Sequence, residues 1–477
     1  MFRAAAQTNS PVPPEGQLSA PYRVEVVASR LLAPWSVVFT PEGRIFFSER
    51  PGWIKVIAKG QVLEEPALVL KDVVSSVKMG LLGLAVHPGF ATNHFFYAAY
   101  NYDRGTEDYR LRVVRYREEN NRLQDQLTII ENIPAYRNHT GCRLRFGPDG
   151  CLYVTAGDAN QPPLAQRLDS FAGKILRLNP DGSIPPDNPF VGKTNALPAI
   201  WSYGHRNPQG LDFQPGSKAL FATEHGPDHG DEVNHVEKGE NYGWPVIHHR
   251  HSHEGMHNPI LEFTPAVAPA GAIFYRGNAF PELRGKLLVG CLRGEGILRI
   301  GFDGTQPVSC ERLLHYKFGR IRDVTEGPDG YIYFTTSQYD PPEGTPRPEY
   351  DFILRLVPRT ASPSGLAIAS EWQGPHPQEP MFDPTTTNAS QIVAIFCAAC
   401  HGPGLHGGLQ RGLLDGKWQF AKDDEGIRRV LTSGLGDKGM PAFGGALNTQ
   451  QISALISYIR DNERRPPAPA AAPLQTR

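Results

Sequence analysis

The sequence predicts two domains of different fold class, an all-β six-bladed β-propeller followed by a small all-α domain. Three observations lead there. Short β-rich runs broken by Gly, Pro, Asp and Asn recur through the first 358 residues. Across residues 358–387 the periodicity disappears into a stretch dominated by Ala, Ser, Pro, Gly and Gln. Helical spacing of apolar residues emerges only after residue 390, as in Ile452, Leu455, Ile456 and Ile459. A chain of 477 residues also exceeds what a single hydrophobic core usually serves.

In chain order, residues 1–21 read as a flexible N-terminus and residues 22–358 as the propeller. The first unit covers residues 37–47 and turns at Pro41-Glu42-Gly43; the second joins residues 83–90 to 95–100. The third spans 144–154 around Gly147-Pro148-Asp149-Gly150. Residues 211–223 and 272–289 follow, and 324–335 turns at Gly327-Pro328-Asp329-Gly330. Six units of one supersecondary type, none able to bury its face alone, suggest six blades. Residues 22–29 are expected to complete the last blade beside 352–357 and so close the ring. No G-x-G-x-x-G follows a strand, which argues against a dinucleotide fold. Residues 359–386 read as a linker, 387–463 as the all-α domain, and 464–477 as a tail too poor in apolar surface to order itself.

The all-α domain carries the sharpest motif, Cys397-Ala398-Ala399-Cys400-His401. Two thiols three apart can add to the two vinyl groups of a haem, placing the following histidine beneath the iron as an axial ligand. A zinc half-site would want a second Cys/His pair nearby, and none follows. Residues 391–399 read as a short helix running into the motif, and 449–462 as a second helix crossing beside the haem. Met440, in Gly439-Met440-Pro441-Ala442-Phe443, is placed to close the other haem face; a thioether there raises the potential. Methionine also fills core gaps, so the residue alone leaves both roles open. The order of these motifs resembles a class I cytochrome c.

Composition bounds the partners. With 40% hydrophobic residues, 20% charged and a formal net charge of −1, no global basic field favours nucleic acid or an anionic membrane. No apolar run approaches the ~20 residues that span a bilayer. The first twenty residues lack the apolar core of a signal peptide. Haem attachment to such a motif is ordinarily periplasmic, so a periplasmic or secreted protein with a processed or truncated start is expected, and Ala4-Ala5-Ala6 fits that. Cys142 and Cys151 flank a tight turn without facing each other, which disfavours a disulfide. Cys291 and Cys310 read as small buried hydrophobes.

Polar residues at the unit boundaries point to chemistry. Asn138-His139-Thr140-Gly141 opens the third unit and Ala156-Gly157-Asp158 closes its second strand, so His139 and Asp158 could reach the same end of a central channel. A histidine oriented by a carboxylate is what a general base needs, although such pairs are also common structural elements. His205-Arg206-Asn207-Pro208-Gln209-Gly210 sets an arginine beside an amide; Glu224-His225-Gly226-Pro227 and Asp231-Glu232 follow. Arg320 and Arg322 lie two apart on one strand face, and with Arg293 they suit a polycarboxylate.

At these residues the propeller resembles the soluble glucose/sorbosone dehydrogenase family, the pyrroloquinoline-quinone-dependent sugar dehydrogenases. The resemblance covers about residues 22–358. It is carried by Pro34-Trp35, Gly80-Leu81-Leu82-Gly83, His139, Gly157-Asp158, Gly173-Lys174-Ile175-Leu176-Arg177-Leu178-Asn179 and Asp181-Gly182-Ser183-Ile184-Pro185. Gly204 to Gly210, Asn241-Tyr242-Gly243-Trp244-Pro245 and Arg320-Ile321-Arg322-Asp323 complete the series.

The resemblance implies that His139 accepts the proton of a sugar's anomeric hydroxyl while hydride passes to the quinone, with Asp158 orienting the imidazole. It implies that Arg206 stabilises charge on the quinone oxygen. Arg293, Arg320 and Arg322 would hold the cofactor's carboxylates, with Asn207 adding a polar contact. A calcium ion would bind the backbone carbonyls of Gly226 and Pro227, since hard cations prefer oxygen. Three positions depart from the pattern: Val77-Lys78-Met79 stands where a glutamine precedes Gly-Leu-Leu-Gly, His225 replaces a glutamine, and Arg293 replaces a lysine.

The expected function is oxidation of an aldose or related sugar with electron transfer from the quinone to the haem of the same chain, then to an external cytochrome or quinone-linked carrier. Two other readings are a calcium-dependent propeller lactonase and a haem-carrying shuttle with an inert propeller.

Overall fold

The computed structural model describes residues 13–463 except 20, 77, 228, 249–251, 340–346, 375–385, 398–400, 402–404, 407–411, 415–417, 422, 436–439, 441–442 and 445–446. Two compact units emerge. The first comprises residues 1–226, 230–248 and 252–379, and the second 227–229, 249–251 and 380–477.

Among the described residues of the first unit, the strands form six antiparallel sheets, which are the six blades of a β-propeller. The innermost strands of the blades are, in order, Pro34–Phe39, Leu81–Val86, Leu144–Phe146, Pro208–Phe213, Pro269–Phe274 and Ile321–Glu326. Each is followed by an antiparallel partner: Ile45–Glu49, Phe95–Asp103, Leu152–Ala156, Leu220–Glu224, Leu287–Cys291 and Ile332–Thr336. Most residues of these strands are buried, including polar ones such as Ser48, Asp212, Glu224 and Asp323. Side chains from neighbouring blades interlock in shared clusters; Trp35, Leu82, Tyr97, Leu144 and Val154 belong to one.

The ring closes as the sequence predicts. Tyr22–Ala28 pairs with Ile353–Pro358, Tyr22 facing Pro358 and Val26 facing Leu354, so the first strand completes the last blade. The two Gly-Pro-Asp-Gly turns use one device. Asp149 Oδ1 accepts from Cys151 N at 3.1 Å and its other oxygen from the Tyr153 hydroxyl at 3.0 Å; Asp329 does the same for Tyr331 N and Tyr333, at 3.1 and 2.8 Å. Cys142, Cys151, Cys291 and Cys310 are free thiols, Cys310 only partly buried.

Both edges of the expected propeller extend further than the sequence suggests. Within the N-terminal stretch read as flexible, Gly16 N donates to Arg312 O at 2.8 Å and Arg312 Nε donates to Pro13 O at 3.0 Å. Within the stretch read as a linker, Val26 N donates to Ala367 O and Ala369 N to Val24 O, both at 2.8 Å. The reason is two edge strands, Gln306–Leu313 for the first stretch and Tyr22–Ala28 for the second, whose outer peptide groups need partners that composition alone does not reveal. Residues 1–12, the rest of the linker from 375 to 385, and the tail 464–477 lie outside the described residues.

The second unit contains the helices Ala389–Phe396, Asp424–Ser433 and Thr449–Asn462 among its described residues. Each starts on a side-chain cap: Asn388 accepts from Ser390 N and Gln391 N, Asp423 from Gly426 N, and Asn448 forms a capping box with Gln451. Ile392, Phe396, Ile427, Leu431, Ile452, Leu455 and Ile459 make its core. Cys397 caps the first helix and is buried in that core, and His401 N donates to Cys397 O at 2.9 Å. Met440 pairs with Leu435 through two backbone hydrogen bonds and packs half-buried on the same core. Cys400 lies outside the described residues.

Candidate active site

Propeller geometry decides which residues meet. The positions just before, or at the start of, each innermost strand lie at one end of the channel, as do those just after its partner strand, because the two are antiparallel. The first set supplies Trp35, Lys78, His139, Thr140, Asn207, Gln209, Ala268, Arg320 and Arg322 to one cavity; the second supplies Arg50, His225, Leu292 and Ser337. Every blade contributes, and no carboxylate is among the described lining residues.

His139 is held by the third blade. Its Nδ1 lies 2.7 Å from Asp158 Oδ1, and that oxygen also accepts from Asn160 N at 2.7 Å. The second carboxylate oxygen accepts from Trp244 Nε1 at 2.8 Å. Asp158 is fully buried, whereas the His139 side chain keeps 12% of its surface open. Burial and the Arg206 guanidinium push the His139 ring below its ordinary pKa, with Asp158 opposing. Burial alone would raise the Asp158 carboxyl; the His139 ring, Arg206 and the Trp244 N–H reverse this and hold it below the usual carboxylate range. The pair at neutral pH is therefore a neutral imidazole on an ionised carboxylate, with Nε2 free to accept a proton.

Gly157 makes the approach possible. A Cβ at that position would stand 2.0 Å from the His139 carbonyl oxygen.

Glu224 braces the turn beside the cavity, and neither it nor Arg206 is among the described lining residues. Its Oε2 meets His205 Nδ1 at 2.9 Å, while Oε1 accepts from the backbone N–H of Arg206 and of Asn207. This fixes the turn that presents Arg206, whose guanidinium donates to His225 O at 3.0 Å and lies 5.2 Å from the Trp244 ring centroid. Asn207 accepts from Gly141 N and Gln209 Nε2, and Arg322 donates to Gln209 Oε1 at 3.2 Å. Arg320 donates to Leu292 O and Ser337 O, both at 3.0 Å. Arg320 and Arg322 thus converge on the cavity; Arg293 is not among its lining residues and its backbone N–H meets Val267 O.

Gly226, whose N–H donates to Asp231 Oδ1 at 2.9 Å, follows His225 directly, and the Pro227 carbonyl accepts from His229 N at 2.7 Å. His225 itself is neutral: burial, Lys78, Arg322 and Arg206 hold its ring well below the ordinary value.

The site accepts an anionic, hydrogen-bonding group. Arg206 Nε and His225 Nε2 are buried without a hydrogen-bond partner, and buried polar atoms of that kind need one. Guanidinium and amide groups line the cavity, and no carboxylate is among its described lining residues. That donor set fits a polycarboxylate with quinone oxygens.

Sequence reasoning missed Arg50, Gln209 and Trp244 as parts of this assembly. Trp244 was legible only as one member of an Asn-Tyr-Gly-Trp-Pro series; nothing local ties it to a residue 86 positions away.

Residues 31–342 match the family model "Glucose / Sorbosone dehydrogenase", and residues 384–459 match "Cytochrome C oxidase, cbb3-type, subunit III". Over 337 residues the chain is 34% identical to an aldose sugar dehydrogenase of Escherichia coli, covering 67% of this chain and 91% of that protein. An uncharacterised protein of Synechocystis is 37% identical over 339 residues, 64% of this chain and 81% of the other. The PQQ-bound aldose sugar dehydrogenase of Streptomyces coelicolor superposes with a TM-score of 0.61 at 31% identity, over 72% of this chain and 99% of that one.

Proposed function

The chain belongs to the glucose/sorbosone dehydrogenase family and carries a cbb3-type cytochrome c domain, and from that premise we propose that it oxidises an aldose or related sugar with pyrroloquinoline quinone and passes the electrons to its own haem c. The observation that carries this reading is the His139–Asp158 pair, 2.7 Å apart, with His139 opening onto a cavity whose described lining residues include three arginines and no carboxylate.

When bound, the quinone supplies the hydride acceptor. The chain's own residues do the rest. His139 Nε2 takes the proton of the anomeric hydroxyl, and Asp158 accepts the Nδ1–H so that the imidazole keeps the tautomer that can do so. Arg206 presents positive charge where an oxygen gains negative charge. Arg320 and Arg322 hold cofactor carboxylates, Asn207 adds a polar contact, and Arg293 extends the positive field from the turn next to Leu292. The backbone carbonyls of Gly226 and Pro227 would hold a calcium ion, which would supply further positive charge.

In the second domain, Cys397, Cys400, His401 and Met440 would hold a haem, which would supply a one-electron carrier. Residues 22–358 form the dehydrogenase and 387–463 the carrier. A periplasmic or secreted location and an external cytochrome or quinone-linked acceptor follow from the chemistry of haem attachment and the need to reoxidise the iron.

The test is reconstitution of the quinone-free, haem-loaded protein. Adding quinone with calcium should make haem reduction depend on sugar. Calcium-dependent lactone hydrolysis without haem reduction would replace this reading with a hydrolase, and neither activity would leave the propeller a binding scaffold.

A further inference from the structure

Lys78 stands apart from the other cations of the cavity. Arg320 and Arg322 are buried and hydrogen-bonded to protein oxygens, as is Arg50, which donates to Met79 O at 2.7 Å. Lys78 lines the same cavity and is exposed, and its backbone N–H donates to Arg137 O at 3.1 Å. Among the described residues no acceptor lies within hydrogen-bond distance of its Nζ. It is near enough to His139 and His225 to depress both rings.

Although the side chain reaches water, protein crowds it on the other sides. That crowding, with repulsion from Arg206, Arg322 and Arg320, pushes its ammonium down to about 8. Lys78 shares this cavity with Arg50, Arg320 and Arg322, and no carboxylate is among its described lining residues. The arginines of the cavity are buried, whereas Lys78 is exposed and so can meet a group that enters from solvent.

We propose that Lys78 forms a subsite for the carboxylate of an acidic aldose, making a hexuronic acid a preferred substrate over the neutral hexose. This rests on the sugar dehydrogenase reading above. A carboxylate on the sugar supplies the counterion that Lys78 lacks, and a lysine, as a compact point charge on a flexible stem, tolerates several positions of that group.

Two measurements on the full-length protein, incubated with quinone and calcium, test the proposal. In the first, kcat/KM for glucuronate and for glucose is read from haem reduction in wild type, Lys78→Gln and Lys78→Arg. The wild type should favour glucuronate by about 10- to 100-fold, the range of one charge-assisted hydrogen bond. Lys78→Gln should collapse that ratio and Lys78→Arg should keep most of it. In the second, calorimetry compares methyl glucuronide with methyl glucoside, neither of which has a free anomeric hydroxyl to oxidise. The glucuronide should bind tighter to wild type, and the gap should close in Lys78→Gln.

A ratio near one in wild type, or a gap that survives Lys78→Gln, overturns the subsite. So does a loss of quinone affinity in Lys78→Gln with the sugar preference unchanged, since that places the lysine on the cofactor. If no sugar reduces the haem while the calorimetric gap still follows Lys78, the subsite stands and the dehydrogenase reading falls.

Discussion

Replacing Asp158 by asparagine should inactivate the sugar reaction for a reason that a second substitution can undo. Three donors converge on this carboxylate: the His139 Nδ1–H and Asn160 N–H on Oδ1, both at 2.7 Å, and the Trp244 indole N–H on Oδ2 at 2.8 Å. Indole only donates. An asparagine can place its oxygen toward His139 and Asn160, but its NH2 then opposes the Trp244 N–H. Turned over, it satisfies Trp244 while its NH2 opposes Asn160 N–H and forces His139 to accept at Nδ1, so that Nε2 carries the proton and cannot take another. Each orientation leaves one buried donor facing another, at a cost of about 1–3 kcal/mol. The second also removes the general base, worth about 10²–10⁴-fold.

Trp244→Phe breaks the tie. With the indole N–H gone, the first orientation is favoured and His139 recovers the productive tautomer. Trp244→Phe should therefore slow the wild type by about 10-fold, through the loss of one hydrogen bond to a charged group, yet raise the rate of Asp158→Asn several-fold. The assay is single-turnover haem reduction by sugar in the reconstituted protein, with the reduced-minus-oxidised haem spectrum as the control for folding. If Trp244→Phe lowers both backgrounds by the same factor, the two residues do not share the carboxylate as described, and the tautomer argument fails.

Other outcomes follow from the same geometry. Gly157→Ala puts a Cβ 2.0 Å from the His139 carbonyl oxygen, so the His139 loop must move; overpacking of this kind costs about 1–3 kcal/mol, and turnover should fall while the haem spectrum is unchanged. Because burial and Arg206 hold the His139 ring below its ordinary pKa, the base stays neutral as pH falls through about 6.5, and the rate is lost only at lower pH; a rate already halved at that pH would contradict the assignment. Met440→Ala should lower the haem potential and slow transfer to an external cytochrome, while a dye that takes electrons from the quinone reports near-normal sugar oxidation. Equal loss in both assays would show that the relay is not divided between two domains.

Much of the fold is local in origin and was legible. Asp149 and Asp329 in their Gly-Pro-Asp-Gly turns bind the next strand through contacts two and four residues away, so the blade pattern is written in short segments. The haem motif and the helix Thr449–Asn462 are equally self-contained. The extent of the propeller was not, because residues 13–16 and 367–369 order by pairing with Arg312 and with strand Tyr22–Ala28, hundreds of positions distant.

The sequence by itself determined the two classes of domain and the number of blades, since turns, periodicity and covalent motifs are properties of neighbours. Tertiary structure alone decided that Lys78, His139, Asn207, His225, Arg320 and Arg322 share one cavity, that Trp244 completes the shell of Asp158, and that Arg293 does not line that cavity. The physical reason is the ring. Closure of six sheets brings the start of every innermost strand to one channel end, and only that long-range closure converts scattered charges into a site.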